Sequence, residues 1–197
     1  RTLEAARLLN DPVLAEAALE RADRLRDFRR GGDWVARDPD PERPLTLVDR
    51  VAAADAGLRT FLLAGRADAY LDGRDALDAA LRKHRVGEGA YALVEADADG
   101  LPAWLRLPEL ADNAGEAASA ALARVLLDYS RTEGPGDRAR EYRTVAAAIV
   151  RRLTPEAVGT PSALGGFMGA ALAIGDSAHL VVVGRDAIAE ANRASSA

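Results

Sequence analysis

Five carboxylates carry the chemistry this sequence could perform. Asp49, Asp55, Glu109, Asp112 and Glu116 stand where long polar connections meet the starts of segments with one apolar helical face. Hydrolysis of a glycosidic bond needs two carboxyl groups in different states, one protonated as the acid and one ionised as nucleophile or base. The composition permits such a pair, with Asp49, Asp55, Asp112 and Glu116 as the catalytic candidates. Trp34 and Trp104 occupy two matching long connections, where an indole beside carboxylates makes a stacking platform for a sugar ring or a base. Together with Glu109 and Asn113 they form the candidate substrate-binding set.

Each of these residues also has a structural reading. Thr46 followed by Asp49 fits a capping-box variant, in which the carboxylate satisfies free amides at a helix start. Asp112 followed by Glu116 suits a first helical turn. Asp55 falls between Val51 and Leu58 on an apolar stripe, where an unpaired carboxylate is costly, so it requires a partner, with a structural arginine or a helix end expected first. Loop tryptophans commonly anchor a loop on helix ends. His84 lies at a helix end between Lys83 and Arg85, where cations complement exposed carbonyls; Arg29–Arg30 and Arg151–Arg152 are expected to close the equivalent helices. His179 opens a strand-like run and reads as structural.

Other chemistries lack their residues. The 197-residue chain has no cysteine, which excludes disulfides, thiolate metal sites and cysteine nucleophiles within it. Its two histidines are far apart, so a multi-histidine zinc site has no ligands to draw on. Gly165–Gly166 and Gly184 lack the strand, glycine, lysine and serine order of a nucleotide cradle, and no Gly-x-Ser-x-Gly elbow is present. No cofactor is expected. A net charge of −5 argues against nucleic acid or a basic membrane-surface module. No run approaches the roughly 18 apolar residues of a membrane span, so a soluble, cytoplasmic protein is expected.

The elements that must position these residues follow a repeated design. Apolar faces recur at helical spacing at Leu14, Ala18 and Leu25, at Tyr70, Leu77 and Leu81, and at Tyr142, Val145, Ile149 and Leu153. A tight joint precedes each: Asn10-Asp11-Pro12, Gly65-Arg66 and the stretch from Glu133 to Asp137. Before each joint lies another helix, with core faces Leu3 and Leu9, then Val51, Leu58 and Leu62, then Ala118, Leu122, Val125 and Tyr129. The long connections, Gly31 to Pro44 and Gly87 to about Asn113, each contain a strand-like piece, Asp33 to Arg37 and Tyr91 to Glu95, the second with a hairpin turn at Asp97 to Gly100. A small-residue helix from Ala163 to Ile174, a strand from His179 to Gly184 and a polar helix from Asp186 to Arg193 close the chain. The pattern predicts an all-α array of helical hairpins, with short β pieces in the long loops and one C-terminal strand, in a single domain over residues 1–197.

Within this pattern, Pro108-Glu109-Leu110-Ala111-Asp112-Asn113-Ala114-Gly115-Glu116-Ala117-Ala118, then an alanine-rich helix, a short turn and Tyr142-Arg143, resembles a known family. It is similar to the C-terminal part of the thioredoxin-domain-containing proteins of the spermatogenesis-associated type. Leu47-Val48-Asp49-Arg50-Val51-Ala52, and Ala171 to Gly175 leading into Leu180 to Gly184, are similar to other parts of that family. The resemblance implies a partial (α/α)6 toroid, six-hairpin-glycosidase-like, following a thioredoxin-like domain and without catalysis of its own. The thioredoxin portion and its cysteines are absent here, and the family's proline-serine-glycine-asparagine stretch is represented by Asn113-Ala114-Gly115-Glu116.

By analogy with sugar-active toroids, the long-loop rim is where a small sugar-like ligand is expected, with both tryptophan loops and at least two of the five acids around one cleft. A carbohydrate-processing enzyme and a helical protein-binding scaffold are the alternatives. Arg1 starts in mid-helix and a closed toroid needs twelve helices, so the chain is expected to be a piece of a longer polypeptide. Its end helices, carrying Leu3 and Leu9 and residues 163–174, are then expected to self-associate or to dock on the preceding part of that polypeptide.

Overall fold

Helices α1 (Thr2–Leu9), α2 (Pro12–Arg26), α3 (Leu47–Ala64), α4 (Ala67–Lys83), α5 (Ala118–Thr132), α6 (Asp137–Gly159) and α7 (Gly165–Ile174) make up most of the described chain. The structure, a computed structural model, describes residues 2–26, 29–30, 33–34, 45–96, 106–108, 116–159 and 165–174. Two antiparallel hairpins accompany the helices: β1 (Arg29–Arg30) with β2 (Asp33–Trp34), and β3 (Arg85–Gly87) with β4 (Ala90–Tyr91). The expected strand from His179 to Gly184 and the helix after it lie outside the described residues.

Local chemistry explains the joints. At the first, Asn10 turns the chain with φ 50°, and the Asp11 carboxylate accepts the amides of Val13 and Leu14 while Pro12 opens α2. At the second, Gly65 takes the left-handed conformation, φ 69°, and its amide closes α3 on the Phe61 carbonyl. Gly134 does the same turning work before α6, with φ 73°.

α1 with α2, α3 with α4 and α5 with α6 pack as successive pairs, and α1, α3, α5 and α7 also pack side by side in that order. The main core lies among Leu47, Val51 and Leu58 of α3, Leu77 of α4, Leu122, Leu126 and Tyr129 of α5, Tyr142, Ile149 and Leu153 of α6, and Phe167 of α7. α3 and α4 meet backbone to backbone. A Cβ on Gly57 would stand 2.8 Å from the Gly73 Cα, and one on Gly73 would stand 3.0 Å from the Ala54 carbonyl oxygen. Tyr129 crosses from α5 to donate its hydroxyl to that same carbonyl at 3.0 Å.

Several expectations are corrected. Leu9 is 70% exposed, and Ala6 accompanies Leu3 into the core instead. Six residues advance a helix by about 600°, which turns Leu9 roughly 120° away from Leu3. Arg29–Arg30 does not close α2: it pairs as a strand, Arg29 with Trp34 and Arg30 with Asp33. Arg151–Arg152 does not close α6, which continues through Pro155 to Gly159 because its apolar face runs on from Ile149 through Leu153 to Ala157. The strand expected from Tyr91 to Glu95 is reduced to Ala90–Tyr91 and a single bridge from Ala92 to Pro108. Its hairpin turns earlier than expected, at Gly89 with φ 62°, where a side chain would strike the Ala148 carbonyl of α6. The turn expected at Asp97 to Gly100 lies outside the described residues. No described helix is long and apolar enough to cross a membrane.

Candidate functional site

Two helices each carry an acid and an arginine one turn apart, in opposite order: Asp55 and Arg59 on α3, Arg124 and Asp128 on α5. Asp55 faces Arg124 and Arg59 faces Asp128, so the two helices run parallel in register, each acid opposite the other helix's arginine.

All three nitrogens of Arg59 are engaged: Nε with Asp55 Oδ1 at 3.2 Å, Nη2 with Asp128 Oδ2 at 2.6 Å and Nη1 with Glu4 Oε1 of α1 at 3.5 Å. Arg124 grips the Glu116 carboxylate with two parallel bonds of 3.4 Å, from Nε and Nη2, and reaches Asp55 Oδ1 with Nη1 at 3.3 Å. Burial pulls the Arg124 guanidinium down, but the Asp55 and Glu116 carboxylates outweigh it and hold the group above its ordinary value. Arg131 carries the chain of contacts onward, bonding Asp128 Oδ1 at 3.3 Å and the Ala173 carbonyl of α7 at 2.7 Å.

This ladder borders a cleft of about 710 Å³ lined by Glu4, Asp55, Arg59, Glu116, Arg124 and Asp128, with Gly165, Gly166, Gly169 and Ala173 of α7 on the remaining side. Each described lining residue belongs to an odd-numbered helix, except Glu116, which lies two residues before α5. The described lining residues include no hydroxyl, imidazole or amine, so carboxylates and guanidiniums are the only side-chain groups they offer to an incoming molecule.

Of the residues singled out from sequence, Asp55 and Glu116 are brought together here, both on Arg124. Asp49 is not among the residues lining the cleft. It completes a reciprocal capping box, its Oδ2 accepting the Thr46 amide at 3.2 Å and hydroxyl at 2.6 Å while its own amide donates to Thr46 Oγ1. Trp34 is in β2, which lies against α3. Trp104, Glu109, Asp112 and Asn113 lie outside the described residues. Sequence reasoning missed Glu4, Arg59, Arg124 and Asp128. The signal was present in the mirrored pairs Asp55-x-x-x-Arg59 and Arg124-x-x-x-Asp128, since charges four apart on a half-apolar helix share one face.

A second polar centre sits at the start of α3. Arg50 is fully buried and bonds Glu95 Oε1 at 2.5 Å, and Lys83 approaches the same oxygen at 3.3 Å. The Leu47 amide donates to Leu93 and the Ala96 amide to Lys83, so residues 84–96 are fastened across the ends of α3 and α4. His84 is buried with Nδ1 3.1 Å from the Ala92 carbonyl, which assigns the ring proton to Nδ1. Burial, with the nearby Arg50 charge, lowers its pKa below 6.5. The ring is therefore neutral at pH 7, and the expectation that it acts as a helix-end cation is corrected.

No protein-family model matches the chain, and no curated protein matches it. Among the described residues no group of three or more histidines and carboxylates is placed to hold a metal ion.

Proposed function

We propose that this chain is an arc of an α/α toroid of the thioredoxin-domain-containing type, which binds a small polar, sugar-like ligand on its inner row of helices and has no catalysis of its own. What supports the reading is that the cleft is lined by α1, α3, α5, α7 and the approach to α5. These are the helices that pack consecutively side by side. In stacked helical pairs, such a continuous row is the natural binding face, and about 710 Å³ suits a small ligand.

The test is calorimetric titration of a sugar panel into the protein, with Asp55→Asn and Glu116→Gln as controls, beside a turnover assay on chromogenic glycosides. Binding that both substitutions weaken, without turnover, supports the proposal. The second reading is carbohydrate processing, favoured by the presence of Asp55 and Glu116 in one cleft. Turnover abolished by either substitution would replace the first reading with it.

Self-association is part of the proposal, carried by the exposed Leu8, Leu9 and Val13 where α1 turns into α2. Light scattering that shows a monomer at high concentration would remove that part.

A further inference from the structure

We infer that the ligand of the odd-helix cleft is an amine-bearing polyol, such as an amino sugar, and not a sugar acid or a sugar phosphate. The inference rests on the binding role proposed above and concerns what the cleft selects.

Among the described residues, four carboxylates line the cleft, Glu4, Asp55, Glu116 and Asp128, against two guanidiniums, Arg59 and Arg124. The described lining residues therefore carry two more negative than positive charges. Hydrogen-bonding capacity is unequal in the same sense: two guanidiniums supply about ten N–H donors, and four carboxylates about sixteen acceptor positions. All three nitrogens of each arginine already face a carboxylate. An anionic ligand would have to draw an arginine away from a carboxylate that holds it, and would add like charge to the cleft.

A ligand rich in O–H and N–H groups meets no such competition. Its hydroxyls find free acceptor positions, and an ammonium gains both acceptors and the excess negative field. Arg131 offsets part of the charge on Asp128 from the α7 side, but Asp55, Glu116 and Glu4 are not among its partners. The start of α7 contributes roughly half a positive charge at the rim, less than the excess.

The experiment is titration of the whole protein at low salt, at a pH where the amine is protonated, with glucosamine, N-acetylglucosamine, glucose, glucuronate and glucose 6-phosphate. Glucosamine is expected to bind about threefold to fivefold more tightly than N-acetylglucosamine, which has a similar body without the charge, as one partly exposed charge pair would give. The gap should narrow in Glu116→Gln and at raised salt. Equal binding of glucosamine and N-acetylglucosamine, or tighter binding of glucuronate or glucose 6-phosphate, would overturn the inference while leaving the binding role standing. Binding of none of the five would overturn both.

Discussion

Arg50 and Arg124 stand on neighbouring odd helices and both bind carboxylates, yet they do opposite work. Arg50 is wholly enclosed and pulls Glu95, and with it residues 84–96, onto the start of α3. Arg124 keeps 30% of its side chain exposed and meets Asp55, Glu116 and Asp128 around an open cleft. The difference teaches that enclosure decides the role. A guanidinium without access to water must fasten the fold, whereas water reaches one at a cleft, so its ion pairs add little to the stability of the fold.

Stability measurements can break that contrast. Arg50→Ala opens a void where a fully enclosed side chain stood and leaves the Glu95 carboxylate to Lys83; a loss of about 2–4 kcal/mol is expected by denaturant unfolding. A loss under about 1 kcal/mol would show that the enclosed centre is no more structural than the open one.

The next effect is a pH dependence belonging to the enclosed centre. Because the folded pKa of His84 lies below 6.5, the unfolded chain takes up the proton first. Its contribution to stability is present above pH 6.5 and is lost as pH falls from there through the folded value. Unfolding free energies measured from pH 8 to pH 5 should show this decline in the parent protein and a shallower one in His84→Asn, whose amide can still donate to Ala92. Equal slopes would remove His84 from the account.

The smallest effect belongs to the open ladder. Arg124→Gln should cost no more than about 1 kcal/mol, with the cost shrinking as salt is added, as partly exposed pairs do. A salt-insensitive loss as large as that of Arg50→Ala would erase the distinction.

The two centres were unequally legible in the sequence. The face Ala118, Leu122, Val125 and Tyr129 gives α5 by spacing alone, and all four residues are buried. Thr46 and Asp49 identify their cap because both partners lie within one turn. Asp55 drew notice as a charge on an apolar stripe, but Arg124 is 69 residues away, and no local pattern announces that α3 and α5 align. Arg50 and Glu95 meet across 45 residues for the same reason. The β3–β4 hairpin escaped because its strands are very short and its register shifts between Arg85 and Gly87. The Gly57–Gly73 contact left no apolar signature at all, since its information lies in missing side chains.

That contact has a mechanical consequence. Where two helices touch through bare backbone, no side-chain rotamer can adjust to admit added bulk, so their spacing is fixed by the backbones themselves. α3 and α4 therefore tolerate no larger residue at Gly57 or Gly73 without moving apart. Along the cleft, beside the apolar core that joins α3 to α5, long charged side chains with several torsions each also connect the odd-numbered helices, Glu4 to Arg59 to Asp128.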